Sequence, residues 1–233
     1  MKRIFTTLKE KWPEYLLEIL VITIGILGAF ALNNWNETRK ENEYKIGLLT
    51  ELKTSIQTGV SHTNWIINQT ENRINDVGFL LEMIEKDKRM DDSTTYRLAN
   101  AFGWLKVILF RNAYENTKTY GLHNLNNPEL QEKLTFVYEI QVELLATFEN
   151  RQHAFHNEHV VPFLIEHFES SEEISEEGSR LIPRDFEQLK RTPEVVHFLK
   201  TNQGNRRHEL SYFKAMNRSL KHLEELLIQE IDQ

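Results

Sequence analysis

This chain of 233 residues has a carboxylate, Glu18, inside an apolar stretch near its beginning. Of all its side chains, this one is best placed to do chemistry. Residues 16–32 are apolar except for Glu18 and Thr23, so Glu18 lies about one helical turn inside a segment suited to lipid. An ionisable group costs about 3 kcal/mol at the centre of such a helix and less near its end. Glu18 could carry protons, or it could join two helices.

The residues around Glu18 favour a contact between helices. On a helix, Glu18, Ile22, Gly25 and Ala29 share one face, and Gly25 and Ala29 form a small-x-x-x-small pattern that lets two backbones approach closely. We interpret this face as the seam of an oligomer or of a contact with a membrane partner. The alternative is that Glu18 reaches water from the first turn and that the glycine has no special role.

A group of histidines and glutamates further along the chain has the character of metal ligands. His153 and His156 can share a helical face with Glu149, but His159 is rotated by about 60° from them, so three histidine ligands would require a kink. Solvated side chains are the simpler interpretation, and we expect no metal and no other cofactor. The group comprises Glu149, His153, His156, Glu158, His159 and His167.

The remaining composition gives no reason to predict an enzyme. The chain has no Gly-rich phosphate loop, G-x-S-x-G elbow, H-E-x-x-H helix or cysteine. A di-iron bundle needs two Glu-x-x-His pairs, and only Glu194 and His197 form one. A net charge of −7 disfavours binding to a phosphate backbone, so we expect no nucleic-acid partner.

Aromatic and amide side chains flank the apolar stretch on both sides. Its 17 residues cover roughly 26 Å at helical rise, which is close to the hydrocarbon thickness of a bilayer. Tryptophan and tyrosine rings favour the headgroup level, where amides also meet water. We therefore predict a membrane-spanning helix over residues 15–35 with a lipid bilayer as its partner. Its interface anchors are Trp12, Tyr15, Asn33, Asn34, Trp35 and Asn36.

A cleaved signal peptide is the rival interpretation, because basic residues precede the stretch and Ala29-Phe30-Ala31 resembles a cleavage site. The long basic region and the internal carboxylate favour a retained anchor. Lysines and arginines balance across the span, four against four, so the positive-inside rule does not decide the orientation. We assign residues 1–14 to a short cytoplasmic tail and residues 36–233 to an extracytoplasmic domain.

The rest of the sequence predicts helices. Glycine and proline number only 9 and 5, and apolar residues recur at spacings of three, four and seven. We predict an all-α protein whose membrane helix continues into an up-down-up-down bundle with the heptad character of a coiled coil. The predicted segments are a helix over 36–88 with bends at Gly59 or Gly78, a second over 91–111, a short helix over 114–120, a third over 128–168 with a kink, an exposed acidic loop over 170–183, and a last helix over 192–230 with a break at Gly204.

Two regions of the chain carry a resemblance. The first is Glu18-Ile19-Leu20-Val21, Gly25-Ile26-Leu27 and Asn33-Asn34-Trp35-Asn36-Glu37; the second is Tyr114-Glu115, Lys118, Gly121, Leu125 and Pro128-Glu129-Leu130. Both resemble a family of single-span membrane proteins of Gram-negative bacteria that is known only as a domain of unknown function. Ala113 and Thr117 replace the family's usual Thr and Leu. The resemblance covers the whole chain and implies a bacterial inner-membrane location, but it brings no activity or catalytic residue.

These observations together predict a non-enzymatic protein that is anchored in the inner membrane. We expect a helical scaffold or assembly module that self-associates, or binds another membrane protein, through its anchor. The alternative is an extracytoplasmic sensor of small molecules that acts through a partner, and a polar pocket between the second and third helices would favour it. An accessory subunit of a proton-driven membrane complex is a further alternative, based on Glu18.

Overall fold

The computed structural model describes residues 2–169, 174–175 and 178–232, and it confirms the all-α class. The chain forms two compact units, the first ending at Leu49 and the second beginning at Thr50. Helix α1 contributes to both. The helices are α1 (Lys2–Glu85), α2 (Asp92–Phe102), α3 (Asn112–Tyr120), α4 (Pro128–Thr135), α5 (Val142–Phe155), α6 (Val161–His167), α7 (Phe186–Arg191) and α8 (Pro193–Ile231).

Short irregular elements connect these helices. Two π-helical turns join α4, α5 and α6 into one continuous rod, which we call the α4–α6 rod, and a 3-10 turn precedes it. Four two-residue strands follow the rod and form two antiparallel pairs, β1 with β4 and β2 with β3. These elements are the 3-10 turn Leu122–Asn124, the π turns Phe136–Gln141 and His156–Val160, and the strands β1 (Phe168–Glu169), β2 (Ile174–Ser175), β3 (Gly178–Ser179) and β4 (Ile182–Pro183).

The first unit consists of the N-terminal part of α1. Its most apolar 18-residue stretch has a mean hydropathy of 2.3, and none of that stretch is buried against the described protein. By length and composition, this is the one helix in the described part of the chain that could cross a membrane. Its exposed side chains include Leu17, Phe30 and Leu32, which are 64–67% exposed. A surface of this kind is costly in water at about 25 cal/mol per Å² of apolar area.

Within the second unit, α8 runs antiparallel to α1. Gln57 of α1 donates to Glu224 of α8 (Nε2···Oε1, 2.8 Å), while at the other end of the contact Gln203 of α8 donates to the carbonyl of Ile74 (3.2 Å). Rising residue numbers on one helix therefore meet falling numbers on the other. This pairing fixes the register between two of the long helices.

The α4–α6 rod also runs antiparallel to α8. Glu129 at the start of α4 meets His222 (Oε1···Nε2, 3.0 Å), and Phe163 of α6 stacks on Phe198 with ring centroids 4.2 Å apart. The part of α1 in this unit and the rod therefore point the same way, with α8 opposed to both. This order of directions is the one expected for the first, third and last helices of the predicted bundle.

An aromatic cluster fixes the position at which α2 ends. Phe102, the last residue of α2, is buried, and its ring centroid lies 5.6–6.0 Å from those of Phe163, Phe168 and Phe198. Rings at such distances add to the stabilisation from buried area. The cluster thereby holds the residue that follows, Gly103, beside α6 and α8. These rings belong to a larger hydrophobic core cluster, whose buried members are Val77, Leu80, Leu98, Ala101, Phe102, Val160, Phe168, Leu189, Val195 and Leu199.

Two predicted helix starts have the capping geometry that the sequence indicates. Asp91 accepts a hydrogen bond from the Thr94 amide (2.9 Å), and the Thr94 hydroxyl accepts one from the Asp91 amide, which completes a capping box. Asn127 accepts from the amides of Glu129 and Leu130, with proline at the first helical position. Residue type at these positions was enough to locate both helix starts.

The predicted second helix is too long. It was expected to reach residue 111, but α2 ends at Phe102, and residues 103–111 are not helical. In this segment Val107 is buried, whereas Ile108 and Phe110 are 57% and 59% exposed. The apolar residues that suggested a central helix therefore alternate between two sides, as in an extended segment. The Val107 amide is satisfied by a side chain of α5, which a helix would not permit.

The predicted break at Gly204 is absent. Gly59 and Gly78 lie inside α1, and Gly204 lies inside α8, without a break in any of them. The predicted loop over 170–183 contains the paired strands β2, β3 and β4 instead. Its four glutamates, Glu172, Glu173, Glu176 and Glu177, lie outside the described residues.

Two helical glycines provide a matched test of this packing. An alanine Cβ at Gly204 would meet nothing within 4 Å, whereas at Gly59 it would lie 3.1 Å from Leu109 and 3.3 Å from Leu220. We expect Gly204→Ala to raise the free energy of unfolding by about 0.5–1 kcal/mol, because alanine is the better helix former. Gly59→Ala should gain less, since its neighbours must move. Denaturant titration of the full chain in mild detergent measures both, and equal gains would contradict the packing around Gly59.

Candidate functional site

The predicted packing face of the span is bare in the first unit. Glu18, Ile22, Gly25 and Ala29 are all exposed on α1. A side chain added at Gly25 would meet no atom within 4 Å. The helix therefore leaves this face available for lipid or for another helix.

The predicted interface anchors lie on the same exposed helix. Asn33 donates to Glu37 one turn later (Nδ2···Oε1, 3.0 Å), and the Arg39 guanidinium lies 5.6 Å from the centre of the Trp35 ring. These contacts are local to one helix. Of the other anchors, Trp12, Tyr15 and Asn34 are exposed, and Asn36 is partly buried.

The candidate metal ligands are placed on the α4–α6 rod but have separate partners. Among the residues that the structure describes, no group of three or more His, Asp or Glu side chains could hold a metal ion. His153 lies against the Trp104 ring (centroids 5.3 Å apart), and Glu149 accepts a hydrogen bond from the Val107 amide (2.9 Å). His156 opens the second π turn and is half-buried. Glu149 and His156 belong instead to a buried charged cluster.

The centre of that cluster is an ion pair on α8. Arg206 and Glu209 lie one turn apart, with Nη1 and Oε2 separated by 2.9 Å and side chains that are only 6% and 2% exposed. Arg206 also donates through Nη2 to the carbonyl of Gly103 at 2.5 Å. In the described part of the chain, Arg206 Nε and Glu209 Oε1 are buried without a hydrogen-bond partner. A buried pair of this kind costs desolvation energy, and removing one partner typically destabilises by about 3–5 kcal/mol.

A second arginine faces this pair from α1. The Nε and Nη1 atoms of Arg73 are buried, and neither finds a hydrogen-bond partner among the described residues. Burial, together with the nearby charge of Arg206, lowers the pKa of Arg73 to about 10, and Glu209 opposes this shift. An alanine Cβ at Gly103 would lie 2.9 Å from Arg73 Nη2. We call Arg73, Arg206, Glu209 and the backbone of Gly103 the arginine cluster.

Titratable groups on the rod extend the arginine cluster. Burial raises the pKa of Glu149, with a further contribution from Glu209 and opposition from the Val107 amide and Lys106. Burial also raises the pKa of Glu209 itself, against the effect of both arginines. Burial, Arg206 and His153 lower the pKa of His156. The charges of three elements, α1, the rod and α8, are thus coupled electrostatically.

A cleft opens beside Arg73, between α1 and α2. Its volume is about 510 Å³, and the strand residue Ser179 closes one side of it. Within it, Asp76 accepts hydrogen bonds from Arg97 (3.3 Å) and from Asn100 (2.5 Å). The Arg97 guanidinium also lies 4.2 Å from the centre of the Phe79 ring. The lining residues are Gln69, Arg73, Asp76, Tyr96, Arg97, Ala99, Asn100, Gly103 and Ser179.

A smaller cleft of about 340 Å³ lies between residues 106–109 and α5. Its lining is largely apolar, with Lys106 and Glu149 as its charged members. This is the region in which the sequence predicted a second helix facing the third. The described part of the second unit therefore has a charged cleft beside Arg73 and a largely apolar cleft beside Glu149.

Sequence reasoning missed the arginine cluster, although a signal for it existed. The buried face of α8 repeats at alternating intervals of four and three residues, and Arg206 and Glu209 occupy two positions of this repeat. A charged residue at a core position of a helix needs a partner. The repeat consists of Val195, Leu199, Asn202, Arg206, Glu209, Phe213, Met216, Leu220, Leu223 and Leu227.

Comparison with known proteins finds one similarity. Residues 18–100 match the model of a family described as a family of unknown function (DUF6090). The match begins at Glu18 and includes Arg73 and Asp76, but it ends before Gly103 and α8. No curated protein and no solved structure matches the chain. The chain is thus similar to an uncharacterised family over most of α1 and most of α2.

The raised pKa of Glu149 yields a test of the cluster's electrostatics. Because the pKa of this acid is higher in the folded chain than in the unfolded one, its favourable contribution is complete below the unfolded pKa and is lost as the pH rises through the folded pKa. Glu149→Gln keeps an acceptor for Val107 without the buried charge. We expect the variant to have the higher melting temperature at pH 7.5, by about 2–4 °C, with the difference vanishing near pH 4.

The exposed Glu132 of α4 supplies the control, because Glu132→Gln removes a charge that is already in solvent. Thermal unfolding monitored by circular dichroism at both pH values measures the effect. If Glu149→Gln is less stable than the wild type at pH 7.5, the claim that the buried Glu149 carboxylate costs desolvation energy is wrong.

Proposed function

We propose that the protein is a non-enzymatic inner-membrane protein, anchored by residues 15–35 and projecting a helical domain out of the cytoplasm. The observation that carries this proposal is the bare apolar stretch of α1, which leaves a helix of membrane-spanning length with no protein cover. Lipid is the environment in which such a surface is stable, and the tryptophans at its two ends suit the headgroup level. The similarity over residues 18–100 to a family of unknown function is compatible with this role.

We further propose that the anchor associates with a second copy of itself, or with another membrane helix, through Glu18, Ile22, Gly25 and Ala29. Support comes from the absence of any neighbour at Gly25 within the described chain. Apolar surface alone does not drive helices together in lipid, so close backbone packing at small residues and a shared polar group must do so. Glu18 on the same face is a carboxylate that such a seam would cover.

Two alanines near the end of the span allow a matched test. Ala29 lies on the proposed seam, whereas Ala31 is rotated by about 200° from it on the helix. In native membranes that resist alkaline carbonate extraction, we expect chemical cross-linking to give dimers or a larger complex. Ala29→Leu and Gly25→Leu should reduce the cross-linked species by about ten-fold, and Ala31→Leu should leave them unchanged.

Two outcomes would contradict the proposal in different ways. Extraction of the full chain by carbonate would show that residues 15–35 do not span the membrane. The other outcome is cross-linking that yields only monomers, or that responds equally to Ala29→Leu and Ala31→Leu. Either result would contradict association through this face of the helix without contradicting the membrane anchor. Protease protection of residues 36–233 in intact inner-membrane vesicles of known orientation tests the proposed direction of insertion.

A second candidate function is an extracytoplasmic sensor of small molecules that acts through a partner. The specific observation in its favour is a cleft of about 510 Å³ that reaches Arg73, although it lies between α1 and α2 and not between the second and third helices. That volume falls within the range of small-molecule sites, about 300–1,000 Å³. A uniformly apolar interior would have favoured a purely structural bundle.

A further inference from the structure

We propose that the cleft beside Arg73 binds a small oxyanion through a carboxylate or phosphate group. The inference deepens the sensor candidate and rests on it, because it names the chemistry of the ligand for the same cleft. It does not depend on self-association of the anchor. The observations that carry it are the unused donors of Arg73, the charges around them and the shape of the cleft.

The donors of Arg73 point to an anionic partner. An arginine presents five N–H donors in a planar fork that matches carboxylate and phosphate oxygens. At Arg73, Nε and Nη1 are buried without a hydrogen-bond partner among the residues described. Each buried donor left unsatisfied costs about 1–3 kcal/mol. An oxyanion that enters from the adjoining cleft and displaces the groups covering these two nitrogens would satisfy donors for which the described protein offers no acceptor.

The charges around Arg73 favour an anion over a cation. Arg206 lies close enough to depress the ionisation of Arg73, so two guanidinium groups repel each other there. Glu209, the negative charge that opposes this effect on Arg73, is already paired with Arg206 at 2.9 Å. A second negative charge beside Arg73 would relieve this repulsion. A cation would increase it.

The one carboxylate that lines the described cleft is occupied. Asp76 uses Oδ1 to accept from Arg97 and Oδ2 to accept from Asn100. The charged residues of the described lining are thus two arginines, Arg73 and Arg97, and this single carboxylate. The lining that the structure describes therefore has a surplus of positive charge.

The backbone at the inner end of the cleft leaves room for the Arg73 fork only because residue 103 is glycine. A Cβ there would lie 2.9 Å from Arg73 Nη2 and 3.2 Å from its Cζ. Gly103 has φ −59° and ψ 155°, which any residue can adopt, so its backbone conformation does not require glycine. The close approach of the Arg73 guanidinium is what requires glycine at this position. Gly103→Ala should consequently displace the fork without straining the backbone.

A purely structural role for Arg73 makes different predictions. Buried charges at core positions can fix the register of packed helices at a cost in stability. In that case removal of Arg73 would weaken or misalign the bundle, and anions would have no specific effect. If Arg73 instead binds a ligand, its replacement should not destabilise the ligand-free protein. The replacement removes a buried charge that has no hydrogen-bond partner at Nε and Nη1 among the described residues and is repelled by Arg206.

The test measures thermal unfolding of the full chain in a neutral detergent, with inorganic phosphate or citrate as the probe at constant ionic strength. We expect a saturable rise in the melting temperature of the wild type. Arg73→Met should have an equal or higher melting temperature without the probe and at least about ten-fold weaker probe binding, which corresponds to the loss of a charge-assisted hydrogen bond. Arg73→Lys, which keeps the charge but not the fork, should fall between them.

Two glycine variants provide a second test in case the arginine variants do not fold. Gly103→Ala should weaken probe binding several-fold, whereas Gly204→Ala, with open space around its added methyl, should not. General stabilisation by phosphate or citrate would act on every variant alike. An unsaturable response, or an equal saturable response in the wild type and in Gly103→Ala and Arg73→Lys, would overturn the inference.

The sensor candidate and the oxyanion inference fail in distinguishable ways. A saturable response to spermidine, a cationic probe, with none to phosphate or citrate would overturn the oxyanion inference while keeping a ligand site. Soluble anions and lipid headgroups are separated by repeating the measurement in nanodiscs with and without phosphatidylglycerol. Loss of the citrate response only in the presence of that lipid would identify the headgroup phosphate as the competing source.

Discussion

Burial of charge within an otherwise apolar helix interface is the constraint on which the second unit depends. Arg206 and Glu209 are almost fully buried on α8, and Arg206 reaches the backbone at Gly103. Because the energetic cost of an unpaired buried charge is large, α8, the end of α2 and α1 must meet at one relative position. The aromatic cluster around Phe102 and the hydrogen bond from Gln203 to the carbonyl of Ile74 hold the same position from either side. The cleft at Arg73 is a consequence of this arrangement.

The two units place different demands on the same helix. In the first unit, α1 exposes apolar side chains on all sides, which suits a lipid environment. In the second, its buried face alternates at intervals of three and four residues and includes Thr63, Thr70 and the partly buried Arg73. A change of this kind along one unbroken helix marks the point at which packing against protein begins. The anchoring and sensing proposals therefore concern separate parts of α1 and can be tested separately.

Much of the fold was predictable from residue type and spacing. Asp91 and Asn127 located two helix starts, and the apolar spacing gave the extent of α8 within a residue or two at its end. The end of α2 was not predictable, because Trp104 and Val107 are apolar in either a helix or an extended segment, and only the acceptor that Glu149 provides for the Val107 amide decides between them. A helix break was expected at Gly204, but tertiary contacts and helix length outweigh the low helix propensity of a single glycine. The candidate site is formed by residues 73, 103 and 206, which are far apart in the sequence. No local sequence pattern predicts that they meet.

The most direct measurement of the central claim is a double-mutant cycle between Arg206 and Glu209, made by denaturant unfolding of the full chain. If the two charges form one buried unit, Arg206→Met and Glu209→Gln should each destabilise by about 3 kcal/mol, and the double variant should lose much less than the sum, with a coupling energy above about 2 kcal/mol. Additive losses, or single variants as stable as the wild type, would contradict the account.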